Sequence, residues 1–304
     1  DIKPDFVLKM PSLGGESDVF RTLQLLPGVK AGSEISSGLY IRGGSPDQNL
    51  ILLDGVIVYN PSHLGGFLSS FNSDALRDIK LIKGAFPAEY GGRLSSVIDM
   101  TMKEGTKDKF SGSGGISLIS SRLTLEGPIN DDCSFMISGR RMYLDLLIGL
   151  APEAEDAPNY YFYDLNAKIN YKLSENDRLF VSGFFCRDVL ESPEREYEYD
   201  SENFGIFWGN QTANIRWMHI LSPTFFTNLS LIYTNYNFNI DLGDSKSDTR
   251  DWKSESKIED YLFRLETQYF PNADHTIKSG AEITFHSFDV DAFAEFGDLD
   301  VRPN

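Results

Sequence analysis

From Lys107 onward, apolar and polar residues alternate with a period of two, while the first hundred residues follow no single period. The clearest run sets Leu165, Ala167, Ile169, Tyr171 and Leu173 on one face and Asn166, Lys168, Asn170, Lys172 and Ser174 on the other. Similar alternation marks residues 179–185, 227–234, 261–268 and 277–285. Before Lys107, Val19, Phe20, Leu23 and Leu26 share one helical face, with Ser17 as the predicted cap and Pro27-Gly28 as the stop. Short strands follow at 39–42 and 50–53, separated by the turn residues Gly43, Gly44, Ser45, Pro46 and Asp47. Asp54-Gly55 is a second tight turn, and a short helix from Asp74, capped by Asn72 or Ser73, precedes a strand over 79–83. The first part therefore predicts a small α+β globule containing a βαβ unit.

The spacing of turns in the second part narrows its architecture. Short polar turns fall at 130–132, 174–177, 222–224 and 271–274, roughly 45 to 50 residues apart, whereas sandwich turns recur about every 8 to 12. Long, acidic, aromatic-rich segments lie between them, at 152–158, 191–203 and 241–257. Short turns at one end and long loops at the other are the pattern of antiparallel transmembrane β-barrels. Residues 110–288 hold about nine such strands. Nine strands ending in a loop leave an unpaired edge in lipid, so the pattern predicts further strands beyond Asn304.

Composition removes other classes. No apolar run approaches the ~20 residues of a membrane helix, although the chain has 22 Phe and 14 Tyr. The opening Asp1, Ile2, Lys3, Pro4 carries no secretory signal pattern, so the signal of an exported protein would precede it. A net charge of -17 argues against nucleic acid as a partner. Up to Lys107 the charges nearly balance, with 11 basic and 12 acidic residues; beyond it, 17 basic face 33 acidic. Residue 107 is thus also a compositional boundary. Cys133 sits at a short turn and Cys186 well along a strand, too far apart for a disulfide's ~7 Å Cα limit, so both are expected to be free thiols.

One ordered set of motifs is specific. Leu26-Pro27-Gly28-Val29 is followed by Ile41-Arg42-Gly43-Gly44, Leu53-Asp54-Gly55, Ile82-Lys83-Gly84 and Tyr90-Gly91-Gly92-Arg93. This order resembles the plug domain of TonB-dependent outer-membrane receptors. The stretches 59–64 and 90–96 resemble Bacteroidota-type receptors that carry a carboxypeptidase-like regulatory domain upstream, more than SusC-type glycan importers. The resemblance implies an α+β plug over residues 1–107 and the N-terminal part of an outer-membrane β-barrel over 108–304. The glycines serve most simply to allow positive φ in tight turns. The resemblance further implies that Arg42 lies at the plug and barrel contact and pairs with inward glutamates, for which Glu266 and Glu282 are the candidates. Lys83 stands where relatives carry arginine, and Arg93 is the substitute. His63, with the apolar loop 64–71, is expected at a plug apex that touches ligand.

The implied function is active import of a scarce solute, a siderophore, cobalamin, oligosaccharide or peptide, past a plug moved by TonB with ExbB and ExbD through a segment upstream of Asp1. Outer-membrane lipid and lipopolysaccharide are the implied surroundings, and a SusD-like lipoprotein is not indicated. A passive channel or adhesin barrel with a fixed stopper is the alternative, and a soluble α+β binding protein the third reading, disfavoured because no helices cover the apolar strand faces. The acidic runs 191–202 and 289–300 show no convergent oxygen spacing and read as solvated loops without a metal. Four scattered histidines and no nucleophile elbow offer no catalytic constellation or cofactor site.

Overall fold

Alternation becomes a curved wall in the computed structural model, which describes residues 2–10, 15–32, 38–150, 157–192, 202–244, 250–296 and 299–301. Inside the wall's concave face sits the first part of the chain. It comprises α1 (Pro4–Leu8), α2 (Val19–Gln24), the hairpin β1 (Val29–Ala31) and β2 (Leu39–Ile41), then β3 (Asn49–Leu53), β4 (Val56–Ile57), β5 (Ser62–His63), β6 (Leu68–Ser69), β7 (Leu76–Lys83) and β8 (Ser96–Met102). Its central sheet has the order β4-β3-β8-β7, with β3 and β8 parallel and the other pairs antiparallel. Every residue of β3 is buried because both sheet faces are covered. Ile51 and Leu53 pack with Val19, Phe20 and Leu23 of α2 on one face, and Leu50 and Leu52 with Val97 on the other.

Three local expectations change. The helix cap is Asp18, one residue later than Ser17; its carboxylate accepts from the Arg21 amide at 2.8 Å and the Ser69 amide at 2.6 Å. The crossover from β3 to β8 contains strands and 3₁₀ turns but no α-helix among the described residues. The helix expected from Asp74 is one 3₁₀ turn, Ser73–Ala75, capped by Asn72, because Leu76 already enters the ladder opposite Met102. Strand β2 pairs with β1 and not with β3, since Gly43 to Gln48 carry the chain away through a 3₁₀ turn. Asp18→Ala removes a cap and orphans a buried amide of β6. It is expected to destabilise by about 2 kcal/mol, read as a lower urea midpoint with an unchanged slope.

The wall holds β9 (Ser111–Ile116), β10 (Ser120–Asn130), β11 (Cys133–Met142), β12 (Asn159–Lys172), β13 (Asp177–Glu191), β14 (Glu202–Ser222), β15 (Phe225–Asp244), β16 (Arg250–Asn272), β17 (His275–Phe296) and β18 (Leu299–Val301). These ten pair antiparallel in sequence order, nine long strands and one of three residues; α3 (Leu144–Ile148) follows β11. Register pairs Asn130 with Cys133, Ser222 with Phe225 and Asn272 with His275, closing three of the expected short turns, and Ser174 hydrogen-bonds across to Asp177 at the fourth. Much of 241–257 and 289–300, read as loop, is strand, because the ladder depends on backbone pairing and not on side-chain polarity. The segments 152–158 and 191–203 lie largely outside the described residues.

Leu165, Ile169, Leu231, Ile283 and Phe285 point away from the plug and are exposed, while their alternates Asn166, Lys168, Asn170 and Ser230 face it and are buried. Tyr171, Trp217 and Tyr269 edge this apolar belt toward the short turns, and Tyr233 and Tyr261, ring centroids 5.2 Å apart, edge it on the other side. An apolar belt between aromatic girdles is the lipid-facing surface of a membrane barrel. No described helix is long and apolar enough to cross a membrane.

Cys133 and Cys186 are free and buried, Cys186 packing in the core shared with the plug. Thiol titration should therefore find two reactive groups per chain only after denaturation; a mass gain of two hydrogens on reduction would contradict it.

Candidate functional site at the plug and wall interface

The Asp54-Gly55 turn is the lower anchor of the plug. Both residues take positive φ, 51° and 79°, to reverse the chain between β3 and β4. This turn aims one carboxylate and two carbonyls at the wall. Lys168 Nζ lies 2.9 Å from the Asp54 carboxylate, Asn214 Nδ2 donates to the Asp54 carbonyl at 2.9 Å, and Arg264 Nη1 donates to the Gly55 carbonyl at 3.0 Å. A Cβ on Gly55 would sit 3.2 Å from the Arg264 guanidinium, so glycine serves both the turn and this approach. The Met102 amide also donates to Asp54, at 3.0 Å, tying the turn to the end of β8.

His63 is the upper anchor. Strand β5 holds it fully buried, with Nε2 2.6 Å from Asp164 and Nδ1 2.6 Å from Asp188, on the neighbouring wall strands β12 and β13. Its ring stacks on Phe162 with centroids 3.7 Å apart and planes 7° off parallel. Burial pushes its pKa down, but the two carboxylates outweigh this and raise it to about 9, so the ring is a cation at neutral pH. Arg140, also fully buried, extends the network: Nε donates to Asp164 at 2.5 Å, Nη1 to Glu16 at 3.2 Å and Nη2 to the Ser69 carbonyl at 2.8 Å. The Tyr160 hydroxyl donates to Asp188 and the Ser120 hydroxyl to Glu16. Arg122 pairs with Asp74 at 2.7 Å.

A third contact joins Tyr59 to Asp260, which also takes His286 at 2.7 Å. Burial, then the Asp260 hydrogen bond, hold the Tyr59 phenol well above its usual range, so it stays a donor.

The expected pairing of Arg42 with Glu266 or Glu282 is not what the interface uses. Arg42 is exposed, has φ 48° and makes no ion pair among the described residues; its guanidinium lies over Gly84, 3.3 Å from where a Cβ would stand. Glu282 is engaged within the wall by Arg264 at 2.7 Å, and Glu266 is half-buried near Tyr90. The ion pairs run in both directions: the plug supplies Glu16, Asp54, Asp74 and Glu89 to Arg140, Lys168, Arg122 and Lys278 of the wall, while His63 of the plug meets Asp164 and Asp188 of the wall. Arg42 follows β2 on a positive-φ turn and lies beside Gly84 of the plug.

Lys83 bonds the Pro27 carbonyl at 2.6 Å and Arg93 the Gly92 carbonyl at 2.9 Å, both within the plug. Tyr90 donates to Asp99 at 2.9 Å, while Gly91 and Gly92 are exposed beside it and Gly43 and Gly44 turn the chain after β2. His63 was expected at a ligand-touching apex; full burial between two wall carboxylates removes it from contact with solute.

Residues 11–97 match the family model of the TonB-dependent Receptor Plug Domain. The fold is similar to that of the siderophore receptor PirA from Pseudomonas aeruginosa, at 16% identity over 98% of this chain and 59% of that one, with a TM-score of 0.57. It is also similar to the copper transporter OprC, at 11% identity over 96% of this chain and 46% of that one, TM-score 0.68. The outer membrane transporter YddB from Escherichia coli gives 12% identity over 98% and 54%, TM-score 0.57. The chain spans about half the length of these structures. The fold is a TonB-dependent receptor plug followed by a partial antiparallel barrel, and the plug match with the lipid-facing belt places it in the bacterial outer membrane.

Proposed function

We propose that this chain is the plug, residues 1–107, and the first barrel strands, residues 108–304, of a TonB-dependent importer of a scarce solute. Its role is binding and gating without catalysis. The observation that carries this reading is the set of discrete polar anchors between plug and wall, above all His63 between Asp164 and Asp188. A plug held by a few ionic contacts can be released by breaking them, leaving the lipid-facing ladder intact. Force would come from TonB, with ExbB and ExbD, through a segment preceding Asp1. Motifs 59–64 and 90–96 support a Bacteroidota-type receptor with a carboxypeptidase-like regulatory domain upstream. Lipopolysaccharide would surround the outer leaflet of the belt. Siderophore and copper carriage by the similar structures supports a small, scarce solute.

The test is uptake by the full-length protein in its host with and without functional TonB. Loss of uptake without TonB is expected; equal flux in both strains would instead mark a passive barrel with a fixed stopper.

A further inference from the structure

The wall is not of one height. The aromatic edges of the lipid-facing belt enclose nine residues on β12, from Tyr163 to Tyr171, and nine on β16, from Tyr261 to Tyr269, the length a tilted strand needs to cross the hydrocarbon. Past Tyr261 and its register partners Tyr233 and Phe285, strands β15 to β17 run eleven residues farther. Their outward side chains turn polar there, as at Lys257, Glu255 and Asp289. Over β9 to β11 the wall instead stops at the edge of the belt. Tyr163 faces Arg141, Arg141 faces Ser121 and Ser121 faces Ile116. Just beyond that level β9 turns into β10 through residues 117–119, and β11 passes into α3.

This low rim ends in leucines where the tall sector has polar residues. Leu118 at the hairpin tip is 73% exposed, Leu146 of α3 58%, and Leu150 just after it 80%. Hairpin and helix form one unit: the Tyr143 amide donates to the Ile119 carbonyl at 2.9 Å and its hydroxyl to the Ser117 carbonyl at 2.6 Å. Leu144 packs against the inward cluster that includes Met142, Tyr160 and Phe162. The Leu150 amide continues the helical turn by donating to the Leu147 carbonyl, so helical spacing sets Leu146 and Leu150 on the face opposite Leu144. Asp145, beside Leu146, pairs at 2.8 Å with the outward Arg141, whose guanidinium lies over the outward Tyr161 ring at 5.2 Å from its centroid. The exposed leucines thus sit on the outer side of the rim, among the arginine and tyrosine side chains that mark a membrane interface. Below them the belt continues without a break through the outward Leu123, Leu125 and Ile137, all exposed. Acyl chains that cover this belt also cover the rim, whereas water there would have to hydrate three adjoining leucines.

Going beyond the importer reading, we infer that the low rim, with Leu118, Leu146 and Leu150, is seated in the acyl chains of the outer leaflet as an interfacial anchor that fixes the depth of the barrel on this side. Spin labels test it in the full-length protein in proteoliposomes, with Cys133 and Cys186 left in place because both are buried. Leu146→Cys and Leu150→Cys are labelled and compared with Glu255→Cys on the tall sector and Leu231→Cys in the belt. Oxygen dissolves in lipid and a neutral nickel chelate stays in water, so the ratio of their collision rates with the label reports its surroundings. At both rim sites the ratio should exceed that at Glu255 at least threefold, in the direction of Leu231. A smaller excess at either site would overturn the inference. So would loss of collisions with both reagents, which would mean that protein and not lipid covers the helix. Heat-dependent gel mobility confirms that each variant keeps the folded barrel, and no step involves TonB, so failure of TonB-dependent uptake would touch only the importer reading.

Discussion

An Arg140→Met substitution is expected to loosen the plug from the wall by about 3 to 5 kcal/mol, the cost of leaving buried charges without their partner. Arg140 is fully buried and joins three groups at once: wall Asp164, plug Glu16 and the plug carbonyl of Ser69. Methionine keeps the apolar volume beside Phe162 but supplies none of these donors. Asp164 and Glu16 then lose the guanidinium they share inside a buried interface. Hydrogen exchange in a detergent-folded barrel is the direct measurement. Amides of Ser69 and its neighbours in β6 should lose protection by roughly 10²-fold or more, since 1.4 kcal/mol is about tenfold, while amides of β12 and β13 change little. A uniform loss over wall and plug would mean that Arg140 stabilises the barrel as a whole and does not act as a latch.

The second large effect depends on pH. With its pKa raised from 6.5 to about 9, His63 contributes stability that is complete below about pH 6.5 and is lost as pH rises through about 9. The direction follows because the docked plug binds a proton that the undocked one releases in that window. The shift corresponds to about 3 kcal/mol of docking. Exchange rates of the β5 and β6 amides, corrected for intrinsic base catalysis, should therefore be flat from pH 5 to 6.5 and accelerate between 7 and 9. In His63→Gln the acceleration should vanish, because the amide has no proton to lose there, and protection should already be low at pH 6. An unchanged wild-type profile across that window would show that the ring is neutral between its two carboxylates.

Much of this interface is invisible along the chain. Alternation in 165–174 shows that Lys168 shares a face with Asn166 and Asn170, and the apolar alternates face lipid as the pattern requires. It does not show that Lys168 meets Asp54, because those residues are 114 positions apart and their contact depends on how the plug is seated. Arg42 illustrates the converse. Its motif is conspicuous, yet in the fold it stands exposed on a positive-φ turn with no ion pair among the described residues. His63 looked like a loop residue available to solute, and only the approach of two strands, 101 and 125 residues onward, converts it into a buried cation.

The sequence by itself determined the change from a mixed α+β globule to period-two strands, the positions of the short turns and the absence of membrane helices. Those features follow from local rules: side chains alternate across a strand, and glycine, proline and asparagine terminate it. Tertiary structure alone decided which charges meet. It joined plug carboxylates to wall cations at Asp54 and Glu16, and a plug histidine to wall carboxylates at Asp164 and Asp188. Pairing of buried charges depends on distances of a few ångströms between segments a hundred residues apart, and periodicity carries no information about those distances.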